Sequence, residues 1–398
     1  MRTTLTTLFT LLSLALGFSQ IVTTQYGQIQ GNQNGNVLQF LGIPYAKPPV
    51  DSLRWRIPQP PSSWIDIQDA LVFAPPCPQK EGTEIFGNED CLYLNIWTPS
   101  LSAQLPVMVF IHGGSNQSGS TDQFLYFGKN MAERGQVIVV TIQYRLGPLG
   151  FLTHPGLEPE QANLVSGNFA VLDQIMALNW VKENIVNFGG DSSNVTIFGE
   201  SAGALNVSNL MVSSLAKGLF HKAIVQSGSP LLLPYEQAKT IGTDYVNTYI
   251  STGNDDQKIQ YMRTLPADSL VKDLSGGFEN GIVQLNWTAT LDGYVFEQDP
   301  FEAFQSGNFN KVPLVIGSNA QEVSIVAPTI VTPLAFNQFV QEIVPSNFQS
   351  SIQALYPAGT TNQQAKNAYI NFFTDFQFTA PARRMASCVS DTKQKQFG

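Results

Sequence analysis

Val195-Thr-Ile-Phe-Gly-Glu-Ser-Ala-Gly-Ala-Leu205 is the stretch that decides how this chain folds. An apolar, β-branched run leads into a serine flanked at −2 and +2 by Gly199 and Gly203, with Ala202 and Ala204 keeping the following turn slim. A strand and a helix meeting at so sharp a turn leave no room for a Cβ at either glycine, and the serine is held strained with its oxygen projecting. The helix start beyond it offers unpaired N–H groups to developing negative charge. The pattern predicts a nucleophilic Ser201 aimed at an acyl carbon, between a strand over 195–198 and a helix from Ala202 to about Ser213.

Working outward, strand and helix alternate. Residues 92–97, 106–111 and 137–142 read as strands, and their continuous apolar runs suit a central sheet covered on both faces. Phe169, Leu172, Met176 and Trp180 recur at helical spacing and predict an amphipathic helix to about Asn187, with Lys182 and Glu183 toward water and Gly189-Gly190 as its stop. Residues 223–226 and 312–316 resume the sheet. This alternation implies right-handed crossovers and one doubly wound α/β sheet. Before it, residues 21–41 read as short strands and turns, and the prolines from Pro44 to Pro61 impose extended chain. With no internal repeat, a single domain over 20–398 is expected.

Composition narrows the function. Of 398 residues 43% are hydrophobic and only 13% charged, which supports a large core in a mixed or strand-rich fold. The net charge of −9 and the lack of a basic block argue against nucleic acid and anionic membranes as partners. Residues 1–19 combine Arg2, a short apolar stretch, and Gly17 and Ser19 at −3 and −1 of a cut, as a secretory signal peptide does. The mature protein is therefore expected to be secreted. In an oxidising compartment Cys77 and Cys91 could close a small loop, worth roughly 3 kcal/mol in the chain-entropy view, leaving Cys388 single. Of the glycosylation sequons at Asn116, Asn194, Asn206 and Asn286, the last is the best candidate, because Asn194 and Asn206 flank the serine turn. Three scattered histidines without an H-E-x-x-H pattern give no metal site, and no cofactor motif is present.

A second feature converges on Ser201. The strand ending at Ile111 runs into His112-Gly-Gly-Ser-Asn-Gln-Ser-Gly119, a loop able to turn its N–H groups inward and complete an oxyanion hole with the N–H of Ala202. It has neither the G-x-G-x-x-G nor the G-K-[ST] pattern of a phosphate loop.

Glu89-Asp-Cys-Leu-Tyr-Leu-Asn-Ile-Trp97 and Val195-Thr-Ile-Phe-Gly-Glu-Ser-Ala-Gly203 resemble the two signatures of the type-B carboxylesterase and lipase family, which includes the cholinesterases. Supporting blocks are Tyr144-Arg-Leu-Gly147, Asp173-Gln174, Phe188-Gly-Gly-Asp191 and Phe220-His-Lys-Ala-Ile-Val-Gln-Ser-Gly-Ser229, so the resemblance spans nearly everything after residue 19. It implies the α/β-hydrolase fold, a mostly parallel central sheet covered by helices, and a small carboxylic ester as substrate. It also implies roles: Ser201 as nucleophile, Gly114, Ser115 and Ala202 as oxyanion donors, Glu322 in Gly317-Ser-Asn-Ala-Gln-Glu322 as triad acid, Glu200 and Ser227 as supporting neighbours, and Cys77–Cys91 as a disulfide. Ser115 stands where the family usually has glycine and Asn116 where it usually has an aromatic residue.

A serine hydroxyl needs a general base, and in this fold the histidine follows the acid. None follows Glu322. His112 reads as part of the glycine-rich loop, His154 as a loop residue and His221 as a strand-start residue. Thr374-Asp-Phe-Gln-Phe-Thr-Ala-Pro-Ala-Arg-Arg-Met-Ala386 resembles a family block lying well before the C-terminus, so the domain is expected to be incomplete, with its histidine beyond residue 398. The expected function is ester hydrolysis through an acyl-enzyme, the 398-residue chain itself being nearly inactive. The other expectation is a secreted, non-catalytic binding or adhesion protein.

Overall fold

The computed structural model describes residues 20–274, 278–279, 282–283 and 286–394; the signal-peptide expectation for 1–19 lies outside them. The main sheet is built from β1 (Gln20–Thr23), β2 (Gln28–Asn34), β3 (Val37–Pro44), β4 (Tyr93–Thr98), β5 (Leu105–Ile111), β6 (Ile138–Ile142), β7 (Gly190–Glu200), β8 (Lys222–Gln226) and β9 (Leu314–Gly317). Their order is β1-β2-β3-β4-β6-β5-β7-β8-β9, with a short strand Gln68–Asp69 beside β2. The strands up to β4 and its pairing with β6 are antiparallel, and β6, β5, β7, β8 and β9 run parallel.

Burial explains why these segments are strands. All five residues of β6 are buried, as are Val195 to Gly199 of β7, because helices cover both faces and leave no solvent side to alternate with. The helix α1 (Phe169–Asn184) departs from the expected stripe. Leu172 and Met176 are only half-buried, whereas Ala170, Asp173, Gln174, Ala177, Leu178 and Val181 are fully buried, so α1 is enclosed on most of its surface. Lys182 and Glu183 face water, as expected.

Beyond β9 the chain forms α2 (Pro333–Ile343), α3 (Ser346–Leu355), α4 (Asn362–Thr374) and α5 (Ala380–Gln394), joined between Thr374 and Ala380 by a π-helical turn. Phe336, Val340, Tyr369, Phe372 and Phe373 build a second apolar cluster there. Among the described residues β9 has no strand on its outer side, and Val315 is 64% exposed. Cys77 and Cys91 are disulfide-bonded, with Cα atoms 5.0 Å apart, and Cys388 is free and buried.

The register places the site. Ile111 of β5 pairs with Gly199 of β7, Glu200 pairs with Gln226 of β8, and Gln226 pairs with Gly317 of β9. The residues that follow these pairs, namely the loop from His112, Ser201, Ser227, and the turn from Ser318, therefore leave the sheet at one edge. The carboxyl ends of parallel strands are where open α/β sheets present their sites.

Candidate active site

Ser201 sits between β7 and α6, the helix Ala202–Val212, with φ 55° and ψ −124°. Its N–H donates to the Gln226 carbonyl (3.0 Å) and its carbonyl accepts from Leu205 N–H (3.0 Å), so both sides of the turn are tied. The glycines have the steric reasons read from the sequence. A Cβ at Gly203 would overlap the Ile111 carbonyl oxygen and stand 2.9 Å from the His112 carbonyl carbon; one at Gly199 would stand 2.5 Å from the Gly203 carbonyl carbon. Gly203→Ala is therefore expected to destabilise the protein by about 1–3 kcal/mol through overpacking and to displace Ser201. A urea midpoint unchanged from wild type would contradict this.

The loop after β5 lies over the serine. A Cβ at Gly113 would come within 2.8 Å of the Glu200 carbonyl oxygen and 3.2 Å of Ser201 Cβ, so this glycine, which the sequence reading did not single out, permits the closest approach. Gly114 has φ 103°, and its carbonyl accepts from Gln117 N–H and Ser118 N–H. Ser115 and Asn116 both adopt positive φ, 55° and 58°, where an L-residue costs about 1–2 kcal/mol that glycine avoids. Ser115, Ser201, Ala202 and Ser227 line one cavity of about 350 Å³, walled by Leu205, Leu231, Phe301, Phe376, Phe378 and Pro381. Gly114 is not on that wall. Nor were the aromatic wall residues identified from sequence; the π-helical turn that brings Phe376 and Phe378 to one cavity leaves no periodic signal.

Glu322 lies one step away. Its Oε1 accepts from Asn319 N–H (2.5 Å) and its Oε2 from Asn319 Nδ2 (3.2 Å), and the same amide reaches Ser227 Oγ (3.3 Å). Glu322 N–H donates to Thr374 Oγ1 (3.0 Å). Ser227 is thus between the cavity and the glutamate. Asn319, absent from the sequence-level candidates, occupies both carboxylate oxygens. Beside this group, Asn319, Ser318, Thr374 and Arg383 line a further cavity of about 500 Å³. Glu200 keeps solvent-facing surface, yet desolvation of its carboxyl and, secondarily, the charge of Glu322 raise its pKa above the ordinary value.

No histidine ring bonds to Ser201 or Glu322 among the described residues. His112 is buried against Tyr144, ring centroids 4.4 Å apart, and its Nδ1–H donates to the Gly113 carbonyl (2.8 Å). His154 Nδ1 accepts from Gly156 N–H, and His221 Nδ1 from Val195 N–H. Burial lowers the His112 pKa from 6.5 to about 4, and desolvation lowers His154 and His221 as well. Because the folded pKa lies below the unfolded one, the unfolded chain takes up the extra proton between pH 6.5 and about 4. His112 therefore withdraws stability as pH falls through that window, on the order of 3 kcal/mol, with no further loss below it. Urea midpoints measured from pH 7 to 4 should fall less steeply in His112→Gln.

Asn286 is exposed, as a glycosylated asparagine must be, while Asn116 and Asn206 are fully buried. Among the described residues no group of His, Cys, Asp or Glu could hold a metal, and no helix is long and apolar enough to cross a membrane.

These features have counterparts in known proteins. The family model described as "Carboxylesterase family" matches residues 19–397. The para-nitrobenzyl esterase of Bacillus subtilis (strain 168) is 36% identical over 385 residues, covering 93% of this chain and 76% of that protein. The fumonisin B1 esterase of Sphingopyxis macrogoltabida is 40% identical over 312 residues, but the match covers 75% of this chain and only 55% of that protein. A solved structure titled PNB esterase superposes with a TM-score of 0.81 at 35% identity, over 94% of this chain and 78% of that one. The elbow, the adjoining loop and the parallel sheet thus coincide with near-complete sequence coverage, and the chain belongs to the carboxylesterase family, with its α/β-hydrolase fold.

Proposed function

We propose that this protein is the larger part of a secreted serine ester hydrolase, one domain from residue 20 onward, whose general base is a histidine outside residues 1–398. The observation that carries the reading is the shared wall: Ser201 on its strained turn opens into the same cavity as Ser115 and Ala202. Ser201 Oγ attacks the ester carbonyl carbon as its proton passes to the histidine. The resulting oxyanion accepts from the N–H groups of Ala202, Gly114 and Ser115. Collapse expels the alcohol, which takes that proton; water then attacks the acyl-serine, releasing the acid and restoring Ser201. Glu322 orients the imidazolium and Glu200 adds negative potential beside the serine. The apolar aromatic wall suits an uncharged ester, such as the nitrobenzyl ester in the bacterial relative's name.

One observation favours a second reading, a non-catalytic binding protein: both oxygens of Glu322 accept from Asn319, and no histidine among the described residues bonds to the carboxylate. An aryl phosphonate separates the two. In the first reading Ser201 Oγ bonds to phosphorus, the aryloxide leaves, and the hydroxyl proton goes to solvent base; intact-protein mass then rises by one phosphonyl group, and Ser201→Ala stays unlabelled. Equal labelling of both proteins, or none at alkaline pH, would reject Ser201 as nucleophile.

A further inference from the structure

Two fully buried asparagines join the loop over Ser201 to the helix behind it. Asn206, one turn along α6 from the serine, donates through Nδ2 to Asn116 Oδ1 (2.8 Å), and Asn116 Nδ2 points to Thr288 Oγ1 (3.4 Å). The Asn116 carbonyl accepts from Gly147 N–H (2.7 Å), which pins the same residue through its backbone. At the other end of the loop the Tyr144 hydroxyl donates to the His112 carbonyl (2.7 Å). The loop between His112 and Asn116 is thus held at both ends by buried side chains, and Ser115, which lines the same cavity as Ser201, lies next to the second anchor.

The anchor carries two costs, one in its backbone and one in an unpaired polar atom. Asn116 sits at φ 58°, and Asn206 Oδ1 is buried with no hydrogen-bond partner. An unsatisfied buried carbonyl costs about 1–3 kcal/mol, which an apolar residue at 206 would not incur. What the asparagine supplies is one directional bond from the nucleophile's helix to the strained loop.

We propose that Asn206 and Asn116 are positioning residues, a polar clamp that fixes the Ser115 N–H relative to Ser201 Oγ and so sets how well the site stabilises an oxyanion. This rests on Ser201 being the nucleophile. The clamp touches no substrate, and its effect passes entirely through the loop backbone.

The test uses phosphonylation of Ser201 by an aryl phosphonate at alkaline pH, followed by intact mass as a function of reagent concentration, in Asn206→Leu, Asn116→Leu and the double variant. Each single change is expected to lower the limiting rate about 10–100-fold, the penalty for misplacing a catalytic group by a fraction of an ångström to an ångström. Half-saturation should be unchanged, the melting temperature should stay within a few degrees, and the double variant should be no slower than the slower single one. In parallel, amide exchange in the peptide spanning 112–119 should accelerate in Asn206→Leu while the rest of α6 stays protected. Unchanged limiting rates, additive losses in the double variant, or a rate loss that tracks a fall in melting temperature would overturn the clamp. If wild type resists labelling, the nucleophile reading fails on its own, and the exchange experiment still decides whether the two asparagines hold the loop: unchanged exchange overturns the clamp.

Discussion

Hydrolysis of a short-chain aryl ester by this chain is expected to run about 10³- to 10⁶-fold below that of a serine esterase with all three triad members in place, and to rise when imidazole is added. The reasons are geometric. A serine hydroxyl near neutral pH needs a proton acceptor, and each histidine of this sequence is committed elsewhere: His112 to the Gly113 carbonyl, His154 to Gly156 N–H, His221 to Val195 N–H. What would remain is the proposed oxyanion hole and substrate binding, which sustain only a residual rate. The space of about 500 Å³ lined by Ser318, Asn319 and Thr374 adjoins the Asn319–Glu322 pair and has room for a free imidazole, and a soluble imidazole reaching Ser201 through its own cavity would supply the missing proton acceptor. Initial rates with Ser201→Ala as blank measure this, and Glu322→Gln should remove most of the benefit of imidazole. Ordinary esterase rates without any additive, abolished by Ser201→Ala, would show that a base has been overlooked.

Replacing Asp173 with alanine should cost about 3–5 kcal/mol, enough to unfold a marginally stable domain at moderate temperature. Asp173 on α1 is completely buried and takes three bonds from Arg145: Nε to Oδ2 (2.7 Å), the backbone N–H to Oδ2 (3.1 Å), and Nη2 to Oδ1 (2.6 Å). Arg145 in turn donates Nη1 to the Arg56 carbonyl and lies over the Phe169 ring. Removing the carboxylate strands a guanidinium that is itself nearly buried, and the stranded charge accounts for most of the loss. Arg145→Met combined with Asp173→Leu should recover much of it, because burying two charges is expensive even when they pair well. Denaturant unfolding of the two singles and the double provides the cycle; a loss below about 1 kcal/mol for Asp173→Ala would mean that the pair contributes little.

Legibility from sequence followed how local the cause was. The turn at Ser201 is specified by four small residues within six positions, so both its geometry and its flanking strand and helix could be read, although β7 begins earlier, at Gly190, than its apolar core suggests. The strand over 312–316 shifts to Leu314–Gly317 because Val312 and Pro313 come before the ladder, and proline has no N–H to offer it. The blocks Tyr144–Gly147 and Asp173–Gln174 were visible as separate motifs, but only folding shows that one supplies the guanidinium and the other the carboxylate of a buried pair. Asn319, Asn116 and Asn206 were opaque for the same reason. An amide carries no periodicity, and its role depends on partners up to 172 residues away, as with Asn116 and Thr288. Ser115, standing where the family usually has glycine, takes positive φ.

The outer side of β9 bears on how the protein behaves at high concentration. Its backbone N–H and C=O groups there have no neighbouring strand among the described residues, and Val315 adds an exposed branched side chain beside them. An unpaired edge is a template for a further strand, including one from a partly folded copy of the same chain, and here α5 packs beside it. Long-range repulsion from a net charge of −9 slows these encounters at low ionic strength, but salt screens it within about 10 Å, while the ladder forms at contact. For residues 1–398 by themselves, dilute, low-salt solutions are expected to favour single molecules and crowded, high-salt ones growth of the sheet from one molecule into the next, which light scattering against salt concentration checks.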